Sequence, residues 1–123
     1  MPRINVTVTA TDPGGEVQLA IDQNPIRVPR GGNQHDLVFR LVDRTTQGPT
    51  TFNTDDPIFY RDGRDCPNSG KNCDQLDVTS CDGGTLVVSD VNSRAGDIGY
   101  RLNFRYANKH ADLDPIIQNG GGD

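Results

Sequence analysis

Three cysteines lie within sixteen positions of the chain, in a stretch that also carries four aspartates. Residues 65–84 read "DCPNSGKNCDQLDVTSCDGG". Thiolates and carboxylates are ligands for zinc and calcium, and two thiols can instead form a disulfide. The stretch is therefore a candidate metal site, a candidate disulfide-bridged loop, or a polar insertion without chemistry of its own.

The spacing of the cysteines disfavours zinc and copper. Cys66, Cys73 and Cys81 are separated by six and seven residues, whereas zinc sites pair ligands about two to four residues apart and usually need four of them. The two histidines, His35 and His110, are distant in sequence, and we expect both to be solvent-exposed. A type 1 copper site needs two histidines beside a cysteine and usually an axial methionine, which the surroundings of Cys81 do not offer.

Calcium is the metal that the aspartates could bind. The candidate ligands do not follow the spacing of an EF-hand, but irregular calcium loops of β-sandwiches need no fixed spacing. These candidates are Asp62, Asp65, Asp74, Asp77 and Asp82. We keep calcium as an alternative and predict no resident metal and no cofactor.

A disulfide is our preferred interpretation of the cysteines. The segment 62–84 has few aliphatic anchors, so a cross-link would offset the cost of ordering it. Cys66–Cys73 is the first choice, because the Pro, Asn and Gly residues between them let a short loop close; Cys66–Cys81 is the second. A disulfide requires an oxidising compartment. The protein would therefore be extracellular or at the cell surface if the bond forms, and cytoplasmic otherwise.

The chain carries none of the common catalytic motifs. We find no nucleophile elbow of the Gly-x-Ser-x-Gly kind, no phosphate-binding loop and no Gly-x-Gly-x-x-Gly motif. The net charge of −5 is spread evenly along the chain, so there is no basic stripe for nucleic acid. No apolar stretch is long enough to span a bilayer, and the first residues lack the apolar region of a signal peptide. We predict a protein that is not an enzyme, binds no nucleic acid and has no membrane span.

The elements that must hold the cysteine segment read as β-strands. Apolar residues alternate with polar ones in "RINVTVTA", "EVQLAID" and "DIGYRLNFRYA", which is the period of half-buried strands. Sixteen aspartates against one glutamate also favour turns over helices. Residues 36–43, "DLVFRLVD", are apolar on both faces and should form a central strand. Pro25 and Pro29 should place residues 26–28 at a sheet edge.

The pattern predicts one all-β domain over residues 1–123, an antiparallel Ig-like sandwich of two sheets and about seven strands. A long polar loop at about 43–84 interrupts the strands. Within it, the Cys/Asp-rich segment 62–84 should form an ordered excursion outside the sandwich. A short C-terminal tail follows at 114–123.

The strand order resembles that of small bacterial Ig-like β-sandwich proteins of the DP-EP kind. The resemblance rests on the Pro-bounded "IRV", on "LVFRL", and on "GYRLNFRYA" leading into "DPIIQN" at residues 114–119. It covers most of the strand order, implies an Ig-like fold and implies nothing about activity. The chain departs from the family's pattern because it lacks a Glu-Pro step and contains the three-cysteine segment.

These features predict a non-catalytic sandwich that acts through protein–protein contacts, chiefly by self-assembly as a structural or surface subunit. Edge strands such as "INVTVT" (residues 4–9) and the tail at 114–123 are the expected contact surfaces of a homo-oligomer, because unpaired N–H and C=O groups recruit another strand. The alternative is a calcium- or carbohydrate-binding module. In that case Phe59 and Tyr60, adjacent on a strand, would face opposite sides and one could contact a sugar.

Overall fold

Two packed β-sheets make up the computed structural model, which describes residues 2–65 and 67–121. The first sheet has the spatial order β2-β1-β4-β9-β8. Its strands are β1 (Arg3–Thr11), β2 (Gln18–Ile21), β4 (His35–Asp43), β8 (Leu76–Cys81) and β9 (Thr85–Asp90). A 3₁₀ turn at Pro13–Gly15 lies between β1 and β2. Within the described part of the chain, no helix has the length and apolar character needed to cross a membrane.

The second sheet is built around the long strand β10, and its main path runs β3-β12-β10-β6-β7. Its strands are β3 (Ile26–Val28), β5 (Thr50–Phe52), β6 (Ile58–Asp62), β7 (Lys71–Asn72), β10 (Gly96–Tyr106), β11 (Lys109–Leu113) and β12 (Ile116–Asn119). Strands β5 and β11 pair with the second half of β10, where Phe104 has a partner in each of them. β10 therefore holds this sheet together.

The inward-facing residues of the two sheets meet in one core. The ring of Phe39 on β4 lies 5.8 Å from that of Tyr100 on β10, and Phe52 stacks on Phe104 at 5.0 Å between ring centroids. The alternation read from the sequence of β10 is confirmed, because its inward residues are buried: Ile98, Tyr100, Leu102, Phe104 and Tyr106. The prediction of an all-β, sandwich-like fold is confirmed.

Both sheets are mixed, so the prediction of a purely antiparallel sandwich is wrong. β1 pairs in parallel with β4, β3 with β12, and β6 with β7. The described residues also form twelve strands instead of about seven. Alternation tells which side chains face the core, but the direction of a neighbouring strand depends on residues that are distant in sequence. That information is absent from the local pattern.

Residues 43–84 do not form the long polar loop that the composition suggested. They contain the strands β5 to β8, and β8 belongs to the first sheet through its pairing with β9. The prediction that all of 62–84 lies outside the sandwich is therefore wrong for Leu76–Cys81. Leu76 is buried, and its carbonyl oxygen accepts a hydrogen bond from the Tyr60 hydroxyl at 3.1 Å. The strand escaped prediction because only two of its inward residues are aliphatic.

The two surfaces predicted for self-assembly lie inside the sheets. β1 lies between β2 and β4, and β12 lies between β3 and β10. The chain after β12 also packs on its own domain: the Gly120 amide donates to the Val28 carbonyl at 2.8 Å, and the Gly31 amide donates to the Gly121 carbonyl at 2.7 Å. Residues 122–123 of the tail lie outside the described residues. The central position of β4 and the edge position of β3 are confirmed.

Candidate functional site

The segment that follows β6 crosses the outer face of the second sheet. The amide of Gly99 on β10 donates to the Gly63 carbonyl at 2.6 Å. A Cβ atom on Gly99 would collide with the backbone carbonyl of Asp65. Glycine is needed at this position because the crossing backbone occupies the space of a side chain. The crossing therefore holds the start of the Cys/Asp-rich segment against the sheet.

A cleft of about 720 Å³ opens beside this crossing. Its charged lining residues are Asp62, Arg64, Asp74, Arg94 and Asp97. The Arg94 guanidinium donates to Asp62 Oδ1 at 3.0 Å and to Asp74 Oδ1 at 2.9 Å, and Arg64 Nη1 donates to Asp97 Oδ2 at 2.9 Å. The cleft thus presents three carboxylates paired with two guanidinium groups.

The buried side chain of Gln75 positions Arg94. Gln75 Oε1 accepts hydrogen bonds from the Ser93 amide at 2.9 Å and from the Arg94 amide at 3.3 Å. Because Gln75 immediately precedes β8, it ties the connection between β9 and β10 to the end of the Cys/Asp-rich segment. The hydrogen bond from Arg94 lowers the pKa of the Asp74 carboxyl, and the carboxylates of Asp74 and Asp62 raise the pKa of Arg94.

Two of the five candidate calcium ligands come together in this cleft. Asp62 and Asp74 share Arg94 as their partner, so a guanidinium already provides the positive charge that a calcium ion would bring. Within residues 2–65 and 67–121, no three His, Cys, Asp or Glu side chains are grouped so as to hold a metal ion. The geometry of these residues therefore favours an ion-pair network over a calcium site.

The other three candidate ligands lie apart from one another. Asp82 closes the turn between β8 and β9, where its Oδ1 accepts the amides of Gly84 and Thr85 at 2.8 Å each. Asp65 is exposed where the chain crosses β10, and Asp77 is exposed on β8. The role of Asp82 is the one expected of an aspartate in a turn.

Cys73 and Cys81 are free cysteines, and Cys66 lies outside the described residues. Cys73 is buried and its thiol donates to Asp62 Oδ1 at 3.3 Å. Burial raises the pKa of Cys73 to about 11 and also raises the pKa of Cys81. Both groups are neutral thiols near pH 7, and a neutral thiol is a poor nucleophile. The pairings of Cys66 with Cys73 or Cys81 stay predictions.

Strand β8 forms an open edge of the first sheet. Among the described residues it pairs only with β9. A bulge between Val78 and Ser80 leaves Thr79 without a partner in the register, and the Asp77 side chain beside it is exposed. An edge strand carries backbone N–H and C=O groups that can pair with another chain. β8 is therefore an edge strand of its sheet, whereas β1 is not.

The aromatic pair of β6 faces opposite sides of the sheet. Tyr60 is buried, with its hydroxyl bonded to the Leu76 carbonyl, whereas Phe59 is half-buried on the outer face beside its cross-strand neighbour Arg101. Burial is the largest of the causes that raise the pKa of Tyr60. Phe59 is therefore the member of the pair that a ligand could contact.

Sequence reasoning missed a buried polar cluster at one end of the sandwich. The cluster consists of His35, Asp90, Asn92 and Asn119. His35, which we expected to be exposed in a turn, is the buried first residue of β4, whereas His110 is exposed as expected. A usable signal existed, because His35, Asp90 and Asn119 each occupy an inward position in the alternation of their strand.

Asn92 connects this cluster to the chain segments around it. Its Nδ2 donates to the Pro29 carbonyl at 2.7 Å and to the Asn33 carbonyl at 3.2 Å, and its Oδ1 accepts the Gly121 amide at 2.8 Å. Asn92 has a φ of 53°, a backbone conformation that asparagine tolerates better than most residues. One buried side chain therefore joins the β3–β4 connection, the β9–β10 connection and the tail.

No protein-family model matches the sequence, and no curated protein shows significant similarity to it. The structure and the residues themselves therefore carry the functional argument.

Proposed function

We propose that the chain is a non-catalytic β-sandwich protein that acts through protein–protein contacts and self-associates as a structural or surface subunit. The single observation that supports this proposal is the open edge of the first sheet at β8, Leu76–Cys81. Pairing of an edge strand with a strand of another copy needs no side-chain constellation, because the backbone supplies the hydrogen bonds.

Three of the other edge strands are less suited to strand addition. β3 has three residues between Pro25 and Pro29, β7 has two residues, and β2 has four. Proline cannot donate a hydrogen bond to a new strand, and short edges offer few of them. β8 has six residues, although its bulge and the exposed Asp77 shorten the part that can pair. These features suit a reversible contact.

The chemistry of the cleft supports a role without catalysis. Cys73, the one thiol among the described lining residues, is neutral near pH 7, and the carboxylates of Asp62 and Asp74 are occupied by Arg94. A nucleophile needs a lowered pKa or an adjacent base. Cys73 has a carboxylate beside it, Asp62, but Asp62 Oδ1 is also paired with Arg94, and the pKa of the thiol is raised instead of lowered.

Sedimentation velocity over a wide range of protein concentrations tests the proposal. We expect wild type to associate reversibly and Thr79→Pro to remain monomeric, because proline adds bulk and removes a donor at the bulge while leaving the registered pairs with β9 in place. Thr79→Ala is the matched control, since both variants lose the hydroxyl hydrogen bond to the Val87 carbonyl. Wild-type protein that is strictly monomeric at the highest concentration would contradict the proposal.

A carbohydrate- or calcium-binding module is the second candidate, and the charged cleft favours its carbohydrate form. Paired Arg and Asp side chains can exchange their mutual hydrogen bonds for those of a sugar's hydroxyl groups, and the cleft continues into a smaller pocket lined by Asn68, Ser69 and Asn72. Calorimetric titration with a glycan panel and with calcium tests this candidate. Sugar binding should be lost in Arg94→Ala and kept in Arg105→Ala, whose side chain is exposed outside the cleft. Flat heats for every ligand would exclude it.

The Ig-like topology and the relationship to proteins of the DP-EP kind form part of this proposal. Their support is the strand order read from the sequence together with the two-sheet, all-β architecture. Location follows the same logic as before. A cysteine bridge would make the protein extracellular or a cell-surface component, and three free thiols would make it cytoplasmic. Intact-mass measurement after alkylation without reductant distinguishes the two states of the cysteines.

A further inference from the structure

Asp90 is a carboxyl group enclosed in the domain interior. It is the last residue of β9, its cross-strand neighbours are His35 on β4 and Leu76 on β8, and its exposure is 0%. Asp90 Oδ1 accepts two hydrogen bonds, one from the Asn92 amide and one from Asn119 Nδ2, each 3.0 Å long. Asp90 thus lies where β9, the β9–β10 connection and β12 meet.

Two buried oxygen atoms at this point have no hydrogen-bond partner among the described residues: Asp90 Oδ2 and Asn119 Oδ1. Both belong to side chains already joined by the Asn119–Asp90 hydrogen bond. Ionised carboxylate and amide oxygen are acceptors only, so neither can satisfy the other. An ionised Asp90 would leave two buried acceptors unpaired, and burial of unpaired polar or charged groups is costly.

The surroundings of Asp90 supply little compensating charge. None of the ion pairs among the described residues includes Asp90. His35, on β4, is the titratable group that acts on it, and His35 Nδ1 lies 2.9 Å from the Asn33 carbonyl. The neighbours from the other elements do not titrate: they are Leu76 at β8, Asn92 in the β9–β10 connection and Asn119 on β12. Burial therefore dominates and raises the pKa of Asp90.

The same hydrogen bonds hold the end of the chain. Asn119 is the last residue of β12, and the Gly121 amide donates to Asn92 Oδ1 at 2.8 Å. Asn92 in turn donates its own amide to Asp90. Close packing reinforces the link, because a Cβ atom on Gly120 or Gly121 would collide with the backbone of neighbouring residues. The state of Asp90 and the docking of residues 119–121 are thereby coupled through shared hydrogen bonds.

We propose that Asp90 is a neutral carboxylic acid in the closed domain, and that loss of this proton to solvent loosens β12 and the two glycines behind it. The proton supplies the donor that this cluster lacks: an O–H on Asp90 Oδ2 can reach the free acceptor on Asn119 after a small shift of the two side chains. The docking of the C-terminal strand β12 on the domain then depends on pH.

The direction of the effect follows from linkage. A carboxyl whose folded-state pKa lies above its unfolded value contributes stability that is complete below the unfolded pKa and is lost as the pH rises through the folded pKa. Between the unfolded and the folded pKa, the folding equilibrium constant should fall by up to about tenfold per pH unit because of this one proton, and above the folded pKa it should level off. Asp90→Asn removes the proton equilibrium and, through its amide donor, can hydrogen-bond to Asn119.

Two measurements test the proposal. In an NMR titration, the carboxyl carbon of Asp90 should titrate above the ordinary value of 3.8. In hydrogen exchange corrected for intrinsic rates, protection of the Gly121 amide should decrease over that same pH range, whereas the Leu41 amide, bonded to the Gly84 carbonyl at the other end, should not respond to it. In Asp90→Asn both amides should keep constant protection. A carboxyl that titrates at or below 3.8, or an Asp90→Asn variant with the wild-type pH dependence at Gly121, would overturn the proposal.

Discussion

Asn92 should be among the positions of the domain at which a substitution lowers stability most. Its side chain has an exposure of 0% and makes three hydrogen bonds, to the carbonyls of Pro29 and Asn33 and from the amide of Gly121. Its backbone lies in the left-handed region at φ 53°. Truncation therefore removes hydrogen bonds and, for most residues, adds backbone strain.

The two contributions can be separated by two substitutions. A net contribution of about 0.5–1.5 kcal/mol for each hydrogen bond gives about 3 kcal/mol for the three. Asn92→Ala should add up to about 1–2 kcal/mol, because alanine lacks the short polar side chain with which asparagine tolerates the left-handed conformation. Asn92→Gly avoids this strain and instead adds about 0.5–1 kcal/mol of unfolded-state entropy. We expect alanine to be the more destabilising substitution by about 0.5–1 kcal/mol on these grounds.

A third variant tests the polarity of the site at constant shape. In Asn92→Asp an oxygen atom replaces Nδ2 and faces the carbonyls of Pro29 and Asn33, which accept hydrogen bonds and cannot donate them. An ionised carboxylate also brings a negative charge close to Asp90. This variant should therefore lose at least as much stability as Asn92→Gly at neutral pH, and part of the loss should return at acid pH.

Urea unfolding followed by circular dichroism measures these differences. The domain should have about 5–15 kcal/mol of stability, so losses of about 3.5–5 kcal/mol will shift the midpoint clearly, and a domain of typical stability will remain folded in the absence of urea. If Asn92→Gly and Asn92→Ala both lie within about 0.5 kcal/mol of wild type, a range typical of uninvolved surface positions, the assigned hydrogen bonds do not stabilise the domain. Greater stability of alanine over glycine would refute the assigned backbone conformation.

Three further predictions follow from the packing and titration of other residues. Gly99→Ala should cost about 1–3 kcal/mol, as overpacking typically does, and should speed proteolysis near residue 65. Gly84→Ala, whose Cβ would make only an ordinary contact with Asp82 Oδ1 at 3.9 Å, should leave both unchanged. The pKa of Asp12 is lowered to about 2, chiefly by the hydrogen bond from the Thr46 amide. Its ionised carboxylate should therefore contribute stability that is complete above pH 3.8 and is lost as the pH falls through 2. An acid-unfolding curve of Asp12→Asn should accordingly be flatter than that of wild type. Cys73, buried and with its pKa raised to about 11, should be alkylated at pH 8 at least about tenfold more slowly than a free cysteine of ordinary pKa; peptide mass analysis that finds equal rates would contradict its burial.

The strands with clear alternation could be predicted from the sequence, and the pairing between them could not. β10 shows five apolar residues at every second position, and the structure buries all five. β8 begins with the same period at Leu76 and Val78, but its bulge then breaks the alternation, and polar and charged residues dominate this edge strand. The parallel pairing of β1 with β4 brings together residues whose own patterns say nothing about their partner. Local periodicity encodes the buried face, and topology depends on contacts between distant segments.

The sequence predicted which segment contributes to the candidate site but did not predict the contacts within the site. The sequence singled out the segment that lines the cleft, but Arg94, which joins Asp62 to Asp74, comes from the connection after β9. Nothing near position 94 in sequence marks it as the partner of those two residues. The buried polar cluster was readable in part, because His35, Asp90 and Asn119 continue inward alternations. The cluster was missed because a polar residue at an inward position was taken as the end of its strand.

The pairing of β3 with β12 has a consequence for how the domain forms during synthesis. Ile26 on β3 pairs with Ile117 on β12. β3 is therefore synthesised long before β12, the strand that lies between β3 and β10 in the sheet. Sheet order β3-β12-β10 means that β3 has no neighbour within its sheet until residues 116–119 have left the ribosome. The first sheet can be complete when β9 has emerged, because all five of its strands precede residue 91. During translation the first sheet should therefore be complete while its apolar face is not yet covered by the second sheet. In that interval the nascent chain should be most prone to aggregation and most dependent on chaperones.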